Sequence, residues 1–257
     1  MVTGYNLYLD EDTDIFNKYI SIGEQHLSTQ KVKVTDDIEK YIINGVADGT
    51  KIEKDWFPKI EADIFISHSH TDENLAKGLA GWLYNSFKLK CFVDSCIWGY
   101  ADNLLEMINN KYSDKENTSD GEIIYNHQKC NTASKHVNTM LTIALHKMID
   151  KAEVAILLNT KNSILGYRNV YKDATYSPWI YSEIVCTEIV RKKSISEYRE
   201  EPVCESFLGI YDEFSATYRV SLEHLKSIDR DILSKWKELY DKKNIKYPLD
   251  YLYKLIL

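Results

Sequence analysis

The sequence lacks long hydrophobic stretches. No apolar run approaches the roughly 18 residues that a membrane-spanning helix requires. Residues 1–10 contain no basic stretch followed by an apolar core, which a secretory signal would need. We therefore expect a cytoplasmic protein without a membrane span.

Positive charge is also scarce. The chain has 32 Lys and Arg against 39 Asp and Glu, giving a formal net charge of -7. Nucleic-acid binding depends largely on Lys and Arg contacts to phosphates. The charge balance therefore argues against a general nucleic-acid binder, and neither nucleic acid nor a membrane is an expected partner.

Cysteine is infrequent, with five residues, and none forms a CxxC pair. An odd number of scattered cysteines favours reduced thiols over a disulfide framework or a zinc site. His68 and His70 lack a third and a fourth ligand at a usual spacing, so no metal is expected. The absence of GxGxxG and GxxxxGK motifs disfavours a Rossmann dehydrogenase and a P-loop enzyme.

The most informative segment present runs from Glu61 to Asp94. Asp63 to Ser67 contains a short apolar run that suits a buried parallel strand. A helix follows, with apolar residues at four-residue steps: Leu75, Leu79, Leu83 and Phe87. Leu89 to Val93 predicts a second strand. This strand–helix–strand unit is a right-handed crossover whose strand ends face one crevice, where ligands of open α/β sheets bind.

Further elements extend this unit into an α/β fold, which we predict to be flavodoxin-like: a parallel sheet with helices on both faces, over residues 61–257. Glu153 to Leu158 predicts a third strand, and Ser177-Pro178 is a strong helix start. Ser134 is expected to cap a further helix. C-terminal helices are expected within 222–257, with Leu225 and Ile228 in the last long one. Residues 1–60 are predicted to be a helical extension that covers the sheet or mediates self-association. Residues 101–134 are predicted to be an insertion.

Trp179 and Glu183 are the first candidates for chemistry. Four residues apart on a helix, they share one face. An indole beside a carboxylate suits a cationic, ring-bearing substrate, because the indole stacks and the carboxylate supplies negative charge. The alternative is a core tryptophan with a surface glutamate, and spacing by itself favours that alternative.

The loop after the first predicted strand is the second candidate. Ser67, His68 and Ser69 could bond ribose or phosphate, or could only satisfy local backbone groups. Asp94 could hold the mouth of the next strand in polar contact, or could cap the loop that follows it.

These motifs together resemble the Toll/interleukin-1 receptor (TIR) domain family. Members begin with an FISHS-like strand and carry a Ser-x-Trp-x-x-x-Glu segment, matched here by Ser177, Trp179 and Glu183. The resemblance covers about Asp63 to Val190, with weaker support to Leu222. The bacterial members most similar in character are antiphage proteins of the Thoeris type.

The resemblance implies cleavage of the nicotinamide–ribose bond of NAD+, with Glu183 as the catalytic residue. NAD+ is then the substrate, and no cofactor is implied. Trp98 and Tyr100 fall in a loop that helps to gate or build the NAD site in relatives. Family behaviour implies self-association and an ADP-ribose-derived signal to a separate effector. The long segment Ser95 to Ala133 departs from the family pattern.

Two other functions remain open. Many animal relatives are non-enzymatic interaction modules, although those usually lack the glutamate. A nucleoside-processing transferase on a similar sheet would share the glycosidic chemistry and use another substrate.

Overall fold

Parallel strands form the centre of the protein. The computed structural model describes residues 1–9, 13–31, 37–98, 101–118, 120–164, 173–198, 218–243 and 246–256. Within these residues, one five-stranded sheet consists of β1 (Thr3–Tyr8), β2 (Ile64–Ser67), β3 (Cys91–Phe92), β4 (Val154–Asn159) and β5 (Lys226–Ile228). Their order across the sheet is β5-β1-β4-β2-β3, and each neighbouring pair is parallel.

Helices make up most of the remaining described chain. They are α1 (Ile20–Ser28), α2 (Gly49–Trp56), α3 (Glu73–Phe87), α4 (Asp94–Ile97), α5 (Ala101–Tyr112), α6 (His127–Lys151), α7 (Pro178–Ile189), α8 (Arg230–Lys243) and α9 (Leu249–Ile256). Two-residue strand pairs join 42–43 to 46–47, 116–117 to 123–124, and 174–175 to 218–219. Short 3₁₀ helices span Thr13–Tyr19, Glu39–Tyr41, His70–Asp72 and Ile195–Tyr198.

The sheet is covered on both faces. All four residues of β2 are buried, and successive side chains of a strand point to opposite faces. Two sets of contacting helices supply the cover: α1 packs on α3, whereas α6 contacts α2, α5 and α7. The predicted α/β class with a parallel sheet is confirmed, and the architecture is consistent with a flavodoxin-like fold.

The strand order departs from the simple flavodoxin-like order 2-1-3-4-5. The arrangement β3-β2-β4 reproduces its first three positions, but β1, from the start of the chain, occupies the fourth. Residues 1–60 were predicted to be a helical extension, and for residues 3–8 this prediction is wrong, because they form a strand of the central sheet. The segment is short and interrupted by Gly4 and Asn6, and its partners are more than 140 residues away. Its pairing therefore leaves little local signal.

Two helix boundaries also differ from expectation. α6 begins at His127, where the Asn126 side chain accepts a hydrogen bond from the Lys129 backbone N–H at 3.2 Å, so Ser134 lies inside the helix. Leu225 and Ile228 were assigned to the last long helix, but Ile228 belongs to β5 and Leu225 precedes it. Strand pairing with β1 overrides the apolar spacing that suggested a helix there.

Glycines allow α1 and α3 to touch backbone to backbone. A Cβ on Gly23 would lie 1.9 Å from the carbonyl oxygen of Lys77, and a Cβ on Gly81 would lie 2.1 Å from that of Tyr19. Both distances are far below van der Waals contact, and the obstructing atoms are backbone atoms that cannot rotate away. This close contact seats α1 on α3.

We expect Gly81→Ala to lower the free energy of unfolding by at least about 2 kcal/mol, because the helices must separate to admit the methyl group. Denaturant unfolding of the purified protein measures this change. Gly49→Ala is the matched control: no atom lies within 4 Å of its added Cβ, so we expect a change within about 0.5 kcal/mol. Equal stability of the two variants would contradict the close contact.

Candidate functional site

The carboxyl end of β2 is where the principal predicted side chains converge. Ser67 is the last residue of β2, and Asp94, which begins α4, follows β3 after one residue. Glu183 arrives from α7, whose start was predicted correctly. The Ser177 side chain accepts a hydrogen bond from the Ile180 backbone N–H at 3.2 Å, and Pro178 is the first helical residue. Because the helix begins at Pro178, the position of Glu183, five residues later on the helix, is fixed as well.

Glu183 is enclosed. Its residue surface is only 4% exposed, and its Oε2 accepts a hydrogen bond from Ser67 Oγ at 2.5 Å. A hydroxyl that donates to a carboxyl oxygen at this distance makes a strong bond. The alternative of a surface glutamate is therefore wrong, because the carboxyl group lies at the strand ends and out of bulk solvent.

The surroundings of Glu183 disfavour its ionised form. Burial raises the pKa of Glu183 well above its ordinary value of 4.5, and the Asp94 carboxylate raises it further. The hydrogen bond from Ser67 acts in the opposite direction and lowers this pKa. A carboxyl group whose pKa is shifted by burial and by a second acid is a typical feature of a functional site.

A small cavity lies beside this carboxyl group. Its walls come from β2, β4, α7 and the residue before β5: Phe65, Ser67, Ala155, Ile156, Leu157, Glu183, Ile184, Thr187 and Leu225. The free space is about that of one water molecule. A nucleotide cannot reach Glu183 through this cavity unless some of these side chains move.

His68 and Asp94 form a second polar group next to the first. His68 is 8% exposed, and its Nε2 lies 3.1 Å from Ser95 Oγ, within hydrogen-bond distance. Its Nδ1 lies 3.8 Å from Asp94 Oδ1, which is too long for a hydrogen bond. The structure thus brings His68 and Asp94 together, as the strand-end argument predicted, and adds Ser95 to them.

The remaining predicted residues lie elsewhere or make local contacts. Ser69 Oγ is 3.1 Å from Thr71 Oγ1, a local bond on the surface. Trp98, which was predicted to lie in a loop at the site, is instead buried, with its ring edge-on to those of Phe57 and Phe92.

Trp179 and Tyr100 were also predicted to contact the substrate. Trp179 is partly buried against the main core and does not line the cavity beside Glu183. Tyr100 lies outside the described residues.

A hydrogen-bond network at the same end of the sheet, buried except for Asn162, was not predicted. Asp72 accepts hydrogen bonds from Thr160 Oγ1 at 2.5 Å and from Asn162 Nδ2 at 2.7 Å. Ser163 Oγ donates to the Leu158 carbonyl oxygen at 2.6 Å. The two bonds to Asp72 tie the start of α3 to the loop after β4, and the Ser163 bond closes that loop against the end of β4. The polar residues that follow the third predicted strand could have indicated a polar cluster there, but Thr160 is 88 residues from its partner Asp72.

Neither a metal site nor a membrane helix is found in the described part of the chain. There, no three His, Cys, Asp or Glu side chains converge as metal ligands would. None of the helices described there combines the length and apolar character required to cross a bilayer.

Comparison with known proteins adds no assignment. No protein-family model, no curated protein and no solved structure matches this chain. A functional proposal therefore depends on the geometry at the carboxyl ends of β2 and β3 and on the short motifs of the sequence.

We expect Glu183→Gln to change how stability depends on pH. Below pH 4.5 the carboxyl group is protonated in both folded and unfolded chains. As the pH rises above that value, the unfolded chain loses the proton while the folded chain retains it, so the wild type loses stability. Between the pKa of this carboxyl group in the unfolded chain and its higher pKa in the folded chain, the free energy of unfolding falls by up to about 1.4 kcal/mol per pH unit.

The amide introduced by this substitution would keep an acceptor for Ser67 and cannot ionise, so the variant should gain stability over the wild type as the pH rises. Chemical denaturation at a series of pH values measures the difference. Stability curves that stay parallel across the series would contradict the raised pKa.

Proposed function

We propose that this protein is a TIR-like enzyme that cleaves the nicotinamide–ribose bond of NAD+, with Glu183 as the catalytic residue. The supporting observation is the buried Glu183 carboxyl group, bonded to Ser67 at the carboxyl end of a parallel strand. Ligands of open α/β sheets bind at that edge. The short sequence motifs around Ser67 and Glu183 point to the same chemistry.

One carboxylate suffices for this reaction. When the glycosidic bond breaks, its electron pair leaves with nicotinamide, which becomes neutral and needs no proton. The ribose is left with oxocarbenium character, and an ionised Glu183 would stabilise that positive charge. Water then adds to the ribose carbon and releases a proton, or a nucleophile within the substrate closes a ring. A low-polarity site would strengthen the interaction between the two charges.

The enclosure of Glu183 requires an opening step. With space for about one water molecule beside it, the cavity does not accommodate a nicotinamide ring in this conformation. Leu225, which precedes β5, and Thr187 on α7 form part of its wall. Substrate binding would have to displace such residues, and self-association of the protein is a means of coupling that displacement to a signal.

Within this proposal, the product is an ADP-ribose derivative that acts on a separate effector protein in cytoplasmic antiphage defence. This assignment follows the resemblance to Thoeris-type proteins.

A binding module without catalysis is the second candidate. The nearly complete burial of Glu183 and its strong bond to Ser67 favour this alternative, because both also suit a structural glutamate. A module of this kind would keep the fold and release no nicotinamide.

Nicotinamide release discriminates between the candidates. We expect the purified protein to release nicotinamide from NAD+ and Glu183→Gln to be slower by about 100- to 1000-fold, because an uncharged amide cannot balance the developing positive charge. Chromatography with mass spectrometry measures the products. Glu188→Gln is the matched control, since Glu188 lies on the same helix and is exposed, and it should retain full activity.

Undiminished turnover by a folded Glu183→Gln protein would contradict the catalytic assignment. Release of base from nucleosides, but not of nicotinamide from NAD+, would indicate a nucleoside-processing enzyme instead.

The pH dependence of turnover provides a second test. Because the ionised carboxyl group is the active form, kcat should fall as the pH decreases, with a midpoint above 4.5. Asp94→Asn removes a neighbouring negative charge and should move this midpoint to lower pH. Ser67→Ala removes the donor that favours ionisation and should move it to higher pH. Shifts in the same direction for both variants would contradict the proposed roles.

A further inference from the structure

His68 is held in one orientation with half of its hydrogen-bonding capacity unused. The residue is more than nine-tenths buried, and Nε2 lies 3.1 Å from the Ser95 hydroxyl. Nδ1 is buried and has no hydrogen-bond partner. A buried polar atom without a partner is costly, so its position calls for a group that completes it.

The carboxylate nearest to Nδ1 is that of Asp94. The two atoms, His68 Nδ1 and Asp94 Oδ1, are 3.8 Å apart. A proton on Nδ1 interacts favourably with the facing carboxylate, whereas a lone pair there would repel it. This arrangement favours the tautomer with the proton on Nδ1, and the Ser95 hydroxyl then donates to Nε2.

The gap between these atoms is slightly narrow for a bridging hydroxyl group. An oxygen about 2.8 Å from both atoms would make an angle of only about 85° between them, so a small outward rotation of the Asp94 side chain is needed for the hydroxyl group to accept from Nδ1–H and donate to the carboxylate. Nδ1 itself is shielded from solvent, whereas the Asp94 side chain is 33% exposed, so a ligand hydroxyl group reaches Nδ1 only when the Asp94 carboxylate turns outward. Imidazole on one side and carboxylate on the other thus supply one donor and one acceptor, which a hydroxyl group satisfies together.

We propose that His68 and Asp94 form a hydroxyl-binding pair that recognises a ribose hydroxyl group of the substrate. The proposal deepens the proposed function, on which its choice of a ribose ligand rests. His68 contacts the ligand through Nδ1, and Ser95 holds the ring in position. Recognition of the sugar thereby lies beside Glu183, because Asp94 is close enough to raise the pKa of that residue.

Two substitutions of His68 separate the roles of its nitrogens. The amide of His68→Asn places a donor near the position of Nδ1, whereas that of His68→Gln reaches toward Ser95 and leaves the Nδ1 position empty. Affinity for ADP-ribose, which lacks the nicotinamide bond, is measured by calorimetry in the Glu183→Gln background, so that NAD+ can be compared in the same protein without turnover. We expect His68→Gln to weaken binding by about tenfold and His68→Asn by clearly less. His70→Gln, on the exposed side of the same loop, should leave affinity unchanged.

The ligand provides the complementary substitution. ADP-ribose analogues lacking single ribose hydroxyl groups should include one that binds the background protein about tenfold more weakly. For that analogue, His68→Gln should cause no further loss, since the contact is already absent. Losses that simply add for every analogue would overturn the pairing, as would unchanged ADP-ribose affinity in His68→Gln.

Magnetic resonance of the histidine ring nitrogens, recorded with His68 intact, tests the proposal without relying on the folding of a variant. ADP-ribose should shift the Nδ1 resonance of His68 and slow the exchange of its proton. No change at saturating ligand, or no binding of ADP-ribose and NAD+ at all, would overturn the proposal.

Failure of the proposed function can be distinguished from failure of this proposal. If the wild-type protein releases no nicotinamide but binds ADP-ribose through His68, NAD+ cleavage is rejected and the hydroxyl-binding pair is retained.

Discussion

The hydrogen bond between Ser67 and Glu183 connects the two parts of the candidate site. Ser67 ends a central strand of the sheet, and Glu183 belongs to a helix whose start is 111 residues further along the chain. Because both groups are buried, breaking the bond would leave polar atoms without partners in a region of low polarity. The bond therefore fixes the position of α7 over the strand ends and holds the carboxyl group away from solvent.

This enclosure has opposing consequences for chemistry. Low polarity would strengthen the effect of an ionised Glu183 on a positively charged transition state. The same environment raises the pKa of Glu183, and Asp94 raises it further, so ionisation is disfavoured while the site is closed. The small cavity beside the carboxyl group also leaves no room for a nucleotide. An enzyme with this arrangement needs a conformational change that admits the substrate, and a structural glutamate does not.

The sequence predicted those parts of the fold whose signals are local. The four-residue spacing from Leu75 to Phe87 corresponds to the buried face of α3, and Ser177-Pro178 marks the start of α7. β1 was missed because its apolar residues are few and its pairing partners are distant in sequence. The buried position of Trp98 was missed for a related reason, because the two aromatic rings that it contacts, Phe57 and Phe92, belong to separate segments of the chain.

The sequence by itself determined the α/β class, the order of the strand–helix–strand unit and the acid and hydroxyl groups that follow its strands. Hydrophobic periodicity and capping act over a few residues, so a linear pattern contains them. Only the tertiary structure decided that Glu183 bonds Ser67, that His68 faces Asp94, and that residues 3–8 complete the sheet. Each of these contacts depends on how distant segments pack, and on which groups that packing removes from water.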